Sequence, residues 1–521
     1  MPSRKSLARV AAALAFAVPG LLGVPGAAAA GPRAAGKRSA ATGAAAPALP
    51  TVLDVRRPGA PEWFGVYLMG KKAGFSRSYV AVEVRHGRRV LVARTESTIS
   101  ATVGTKTVKR AQSDEKVYEL RPAGRLLAFS SRREGDGGDR SVEGRCDAAG
   151  CVAVLTAAGQ REERRLPPLQ ETAEQADAAR LAAARKATIA GEQLDLEALR
   201  VKKVEDRYAG TARVAAGGVE SQVDLVDELE VGDRAATRIS IAPDGRVVEL
   251  RLGESVSAKA EPEETAKRLD KVDLFGMTRV AVPGPVERTV PGRLVFRLRG
   301  IPAQFQVADP RQTWTAAPDG SVLLSVVARP PVAADPARDA PRAGAARRSD
   351  SELLRPTPEI DSDAPAIRKL AREVVGSTTG SYASSVKIAH FVHARLEKAY
   401  GVSRDRASEV LRLGKGDCTE HALLFTALAR AAGIPAQQVH GLVYAQYDDG
   451  VPALYWHAWV EVKSGDEWIA LDPTFDQPVA DPTHIVLGRG SQVDTVGLLG
   501  ALQVVSVERA PPGTAEASRG G

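Results

Sequence analysis

Three residues in the last third of the chain have the types and settings that covalent catalysis needs. Cys418 follows Gly414-Lys415-Gly416-Asp417 and precedes Thr419-Glu420-His421. The two glycines permit a tight approach to a helix start. Asp417 is a good N-cap, and Glu420, three residues on, completes a capping-box pattern. Ala422 to Ala429 is apolar nearly all round, the mark of a buried helix, and Gly433 and Pro435 stop it. Cys418 therefore opens a buried helix, where the dipole and the unpaired N–H groups favour a thiolate. The competing reading is an inert buried thiol.

A nucleophile of this kind needs a base and a group to orient it. His457 lies in Leu454-Tyr455-Trp456-His457-Ala458-Trp459-Val460-Glu461-Val462, which reads as a strand. After a turn at Ser464-Gly465 comes Trp468-Ile469-Ala470-Leu471-Asp472-Pro473-Thr474. A hairpin centred between Ser464 and Gly465 pairs Val460 with Ile469, Ala458 with Leu471, and His457 with Asp472. The apolar pairs then share one face, and His457 faces Asp472 on the other. A carboxylate there fixes the imidazole tautomer and stabilises the imidazolium formed when Cys418 loses its proton. The Cys418 N–H is a natural oxyanion donor, with Gln438 or Trp456 as candidates for a second.

The segments Gly416-Asp417-Cys418-Thr419-Glu420-His421-Ala422, Ala431-Ala432-Gly433-Ile434-Pro435-Ala436, His457-Ala458-Trp459-Val460-Glu461-Val462 and Trp468-Ile469-Ala470-Leu471-Asp472-Pro473-Thr474 resemble the bacterial transglutaminase-like core over about residues 360–490. The resemblance implies a papain-like α/β core in which the cysteine attacks an amide carbonyl. Its motifs are specific for the superfamily and not for the reaction, since relatives include cross-linkers, proteases, amidases, acetyl transferases and inactive copies.

The elements around these residues give an α+β chain, a β-rich N-terminal region followed by a C-terminal α+β domain that the resemblance implies is papain-like and transglutaminase-like. Helices are expected over Ala364–Val375, Ser384–Tyr400 and Ala407–Leu413, then helix, strand, strand, strand over 418–432, 436–445, 453–462 and 467–472. Residues 61–329 alternate as strands do, in three stretches that read as two or more modules. Pro243-Asp244-Gly245 and Pro318-Asp319-Gly320 mark turns, and Glu171 to Ala184 is a helical interruption. Residues 330–350 are Pro-rich and charged and read as a linker. The catalytic domain is expected over 351–500 and a tail over 501–521.

Composition bounds the function class. The 521 residues are 44% hydrophobic and 26% charged, with a net charge of +8. Acidic and basic residues interleave, as in Arg161-Glu162-Glu163-Arg164-Arg165, so no nucleic-acid partner is expected. Arg4, Lys5 and Arg9, the apolar run Val10–Val24 and the small residues after it read as a signal peptide over 1–30, ahead of a disordered spacer over 31–60. Pro19-Gly20 breaks the run, which is shorter than the ~20 apolar residues a spanning helix needs. A bacterial protein exported to the periplasm or medium, with no membrane span after signal removal, is the expectation. Cys146 and Cys151 flank a good turn and could close a disulfide there, leaving Cys418 as the odd thiol. No glycine loop matches a phosphate or dinucleotide fingerprint. A metal site would need clustered His or Cys; His390 and His393 lie three apart on a helix, but Phe391 and Val392 around them suggest packing, His421 is on the cysteine helix, and His440 and His484 are isolated, so neither cofactor nor metal is expected.

Two function classes stand. One is a cysteine protease, amidase or transglutaminase-type acyltransferase that uses Cys418, His457 and Asp472 on a protein or peptide substrate. The other is a non-catalytic cell-envelope binding or assembly protein on a transglutaminase-like scaffold. Retention of all three residues favours the first.

Overall fold

The structure is a computed structural model. It describes residues 49–103, 106–120, 124–135, 139–147, 149–157, 160–197, 199–216, 219–230, 236–288, 292–331, 351–357, 359–399, 406–446, 450–490 and 498–510. The expected signal peptide and most of the expected linker lie outside them.

Residues 62–260 make one antiparallel sheet of fourteen strands. The first eight strands run in chain order from Glu62–Leu68 to Gln160–Arg165, and six more run from Thr188–Asp195 to Val256–Ala260. Pairing of Glu62–Leu68 with Val256–Ala260 joins the two meanders. The first two β-rich stretches are thus one sheet and not separate modules. Strands such as Lys71–Arg85 alternate buried and half-buried positions along much of their length, as one-sided burial requires. The helix Ala178–Arg185 lays Leu181 and Ala182 against Val226, Ile239 and Leu250. Across the sheet, Lys116 Nζ donates to Glu171 (2.8 Å) and to the Leu194 carbonyl (2.7 Å), so strands far apart in order are tied together. The hairpin Thr237–Ile241/Val247–Leu252 falls where the Pro243-Asp244-Gly245 turn put it. Cys146 and Cys151 are cross-strand partners and form a disulfide. The spacer expected to run to residue 60 ends earlier, because Val52 and Val55 are buried and Arg185 donates to the Pro50 carbonyl.

Downstream, helices Pro365–Val375, Ser381–Arg395, Ala407–Leu413 and Cys418–Ala431 pack together. The last contributes the centre of this core: Leu423, Leu424, Phe425 and Leu428 are at most 1% exposed. It lies against Ala458, Val460 and Val462 of the strand Pro452–Ser464. That strand is the middle of a five-stranded sheet with Ala436–Gln446, Ile485–Arg489, Glu467–Leu471 and Val280–Ala281. This is the expected α+β domain, after a β-rich region.

The third β stretch belongs with the domain, not with the large sheet. Val280–Ala281 is an edge strand of this five-stranded sheet. Arg293–Arg299 pairs on one side with Val322–Val327 and on the other with Gln503–Ala510. The stretch expected as a tail therefore holds a strand. Gln312 ties the two sheets by donating to the Val486 carbonyl (2.8 Å) and accepting from the Val486 N–H (2.9 Å). One apolar cluster runs from Phe64 and Val66 through Leu294 and Phe296 to Leu442, Trp456 and Ile485. A chain cut between 332 and 350 should therefore stay in one piece on native size-exclusion chromatography. Residues 349–521 expressed alone should be insoluble, since they strip the partner of Gln503–Ala510 and expose the shared cluster. A soluble, monomeric fragment would contradict this packing.

Candidate functional site

The start of the cysteine helix is built as its sequence implies. Asp417 Oδ1 accepts from the Thr419 N–H (3.0 Å) and Glu420 Oε2 from the Asp417 N–H (2.9 Å), closing the capping box. Gly416 is required here, because a Cβ would lie 2.3 Å from the Glu420 Cβ. Cys418 is 6% exposed, and the Ala458 N–H, next to His457 in the chain, points at its sulfur. The helix start thus places the thiol against the histidine strand.

The hairpin differs in register from the sequence expectation. Val460 pairs with Leu471, Val462 with Ile469 and Ser464 with Glu467, a slip of two residues. A slip of two keeps every side chain on its expected face, because the side-chain period of a strand is two. His457 and Asp472 therefore still share a face, and meet diagonally across the strands, not directly opposite. His457 Nε2 donates to Asp472 Oδ2 at 2.7 Å. Gly441 lies opposite His457 and admits the Ile485 carbonyl, which a Cβ would meet at 1.9 Å.

Asp472 is saturated with donors. Oδ1 accepts from the N–H groups of Thr474 (2.7 Å) and Phe475 (3.2 Å). Oδ2 accepts from His457 and also from His484 Nε2 at 3.0 Å. His484 is not isolated, as its sequence position implied; it is fully buried beside Asp472 and Asp481. No local sequence pattern marks it, because the loop 473–484 folds back to bring it there. The loop is held by Ala480 N–H to Ala470 O (2.8 Å) and by paired bonds between Asp472 and Gln477 (2.9 Å each). His390 and His393 brace the same loop through Asp476 Oδ1 and the Thr474 carbonyl, in place of the simple packing their neighbours suggested. Phe475 stacks on His457, ring centroids 4.9 Å apart.

Burial works against charge on both Cys418 and His457. Burial pushes the Cys418 thiol up to about 12, aided by the Asp417 carboxylate and opposed by the Ala458 N–H. The acids that cap the helix thus offset the dipole that the sequence pointed to. Burial pushes His457 down, against the pull of Asp472. Burial alone would raise Asp472, but His457 and His484 hold it far below the ordinary carboxylate range. His457, Asp472 and His484 bring their ligand-type atoms within 4.8 Å of one another, the one such group among the described residues. Both Nε2 atoms are turned onto Asp472 as donors, so the group is a hydrogen-bonded chain. Of the two candidate oxyanion side chains, Trp456 is committed, its Nε1 donating to the Thr278 carbonyl at 2.8 Å. Gln438 is buried with neither amide atom hydrogen-bonded.

Comparison with known proteins places this arrangement. Residues 368–473 match the model of the transglutaminase-like superfamily, and the chain carries a transglutaminase-like domain there. An uncharacterized protein of Haemophilus influenzae is 31% identical over 96 residues, which are 18% of this chain and 26% of that protein. The chain spans about a quarter of the length of this curated relative. Among solved structures, a proposed cysteine protease of Cytophaga hutchinsonii is 16% identical, over 45% of this chain and 84% of that one, with a TM-score of 0.28. A β-barrel-like protein from Brucella abortus, of a domain of unknown function, is 11% identical over 41% of this chain and 96% of that one, with a TM-score of 0.29.

Among the chain's three cysteines Cys418 is the free thiol, so labelling reports on it alone. Its raised thiol and the lowered His457 imidazole predict no thiolate plateau in acid. Iodoacetamide should label the resting protein slowly at about pH 5.5 and faster with rising pH. A rate constant flat from about pH 5 to pH 8 would mean a preformed thiolate–imidazolium pair instead.

Proposed function

We propose that the protein is an exported cysteine enzyme that acts on protein or peptide amides through Cys418, His457 and Asp472. The observations that carry this reading are that Asp472 orients the His457 imidazole at 2.7 Å and that the N–H of Ala458, the residue after His457, points at the buried Cys418 sulfur. With its Nε2 donating to Asp472, His457 offers Nδ1 as the base.

The chemistry follows from that tautomer. Nδ1 takes the Cys418 proton as the sulfur attacks the amide carbonyl carbon, so charge forms only when substrate is present to receive it. The tetrahedral oxyanion sits against the Cys418 N–H, one of the helix-start groups without an intrahelical partner. Collapse expels the amine, which takes the proton back from His457 and leaves a thioester on Cys418. Water then gives hydrolysis, and a primary amine gives cross-linking. Asp472 stays ionised throughout, because four donors hold it so.

Export is supported by the N-terminal leader pattern and by the Cys146–Cys151 disulfide, which suits an oxidising compartment. Protein or peptide substrates suit the transglutaminase-like domain.

Two substitutions test the assignment, with peptide cleavage and incorporation of a fluorescent primary amine into a glutamine-bearing protein as the assays. Cys418→Ala should remove both activities and keep the fold, since the capping groups are untouched. Asp472→Asn should lower turnover by roughly two to four orders of magnitude through a misoriented base. Residual activity in purified Cys418→Ala, or near-normal turnover in Asp472→Asn, would remove that residue from the site.

A further inference from the structure

The second histidine on Asp472 has a charge state that geometry decides. His484 Nε2 faces Asp472 Oδ2 at 3.0 Å. Its Nδ1 faces Asp481 Oδ1 and the Asp481 carbonyl oxygen, both at 3.2 Å. All three atoms are acceptors, and neither carboxylate has an unfilled need for a proton. Apart from His484, Asp472 takes three donors, the Thr474 and Phe475 N–H groups and His457 Nε2, and Asp481 takes the Thr483 N–H (2.8 Å), the Thr483 hydroxyl (2.5 Å) and the Gln477 amide (2.9 Å). A neutral imidazole would turn a lone pair toward an acceptor on one side. The residue is fully buried, so water does not relieve that contact.

The other groups facing this histidine do not remove the need. His457 lies with its ring centroid 5.9 Å away and donates to the same oxygen. Trp459 presents an edge-on ring at 5.2 Å. Arg288 reaches the far oxygen of Asp481 at 3.7 Å, and Arg311 donates to the Asp481 carbonyl at 3.1 Å. Both cations sit behind Asp481, one step removed from the ring.

We propose that His484 is a positioning residue held as an imidazolium, which anchors Asp472 and weakens its pull on the proton of His457, so that His457 stays a neutral base. The idea rests on the reading of Cys418, His457 and Asp472 as the reactive centre. The direction of the ionisation agrees. Burial opposes charge on His484, yet Asp481 and Asp472 raise it above the ordinary histidine value. The same positive charge is among the causes that lower His457. A merely structural histidine in this place would satisfy the loop and leave the titration of His457 alone.

The test needs no substrate, so its failure is distinct from failure of the functional reading. Nitrogen-15 histidine spectra of the full chain at about pH 7.5 should show one ring with both nitrogens protonated, lost in His484→Gln. In His484→Gln the His457 midpoint should rise by roughly one pH unit, as removal of a nearby positive charge requires. Asp481→Asn should move it the same way by less, because His484 then loses an acceptor that keeps it charged. A neutral His484 in the wild-type spectrum overturns the proposal, and that spectrum decides even where the variants fail to fold. A His457 midpoint unmoved in a folded His484→Gln overturns the link to the base.

Discussion

The carboxylate of Asp472 is the point on which the site depends. It has no exposure to solvent, and each of its oxygens receives two hydrogen bonds. A buried carboxylate costs several kcal/mol unless its acceptor sites are filled. Here two backbone N–H groups of the loop and two imidazoles fill them. The loop must therefore turn where it does, which it manages with Asp476 in a left-handed conformation (φ 56°). It must also be held from outside the segment that carries Cys418, His457 and Asp472. Arg311 donates to the Ala480 and Asp481 carbonyls at 3.1 Å each, and Arg489 bridges Glu461 and Asp309. The strands around residue 310 thus belong to the site's support, although they lie more than a hundred residues before the cysteine.

Burial disfavours charge on Cys418 and on His457 alike. In a dry pocket a thiolate and an imidazolium would each lose hydration, and only close mutual contact would compensate. The acids at the helix cap work against the thiolate as well. The dipole at the start of the helix and the Ala458 N–H work for it, and in the proposed reaction the same dipole would favour an oxyanion forming at the helix start. Stabilisation that appears at the transition state raises rate more than stabilisation of the resting thiolate would.

How much of this was legible in the residues depends on distance along the chain. The capping box at Asp417 and Glu420, the buried helix after it and the faces of His457 and Asp472 are local, and local pattern revealed them. The register slipped by two because the turn is built one residue later, at Gly465-Asp466, and parity protected the conclusion. His484 escaped notice because nothing between Pro473 and Thr483 signals a loop that returns to its start. The strand Gln503–Ala510 escaped for a related reason. Its partner Arg293–Arg299 is two hundred residues away, and an alternating stretch at a chain end looks like a tail until its partner is found. The division at residues 330–350 followed composition, whereas the core follows contacts across it.

The most direct test of the whole account is the mass of the protein during turnover. An activated acyl donor such as a nitrophenyl ester is mixed with the full chain, quenched in acid, and the intact and digested masses are read. The account predicts one acyl group on the peptide that begins the helix Cys418–Ala431, carried by Cys418, depleted by an added primary amine and absent from Cys418→Ala. Acylation elsewhere with Cys418 unmodified, or hydrolysis that proceeds unchanged in Cys418→Ala, would contradict it.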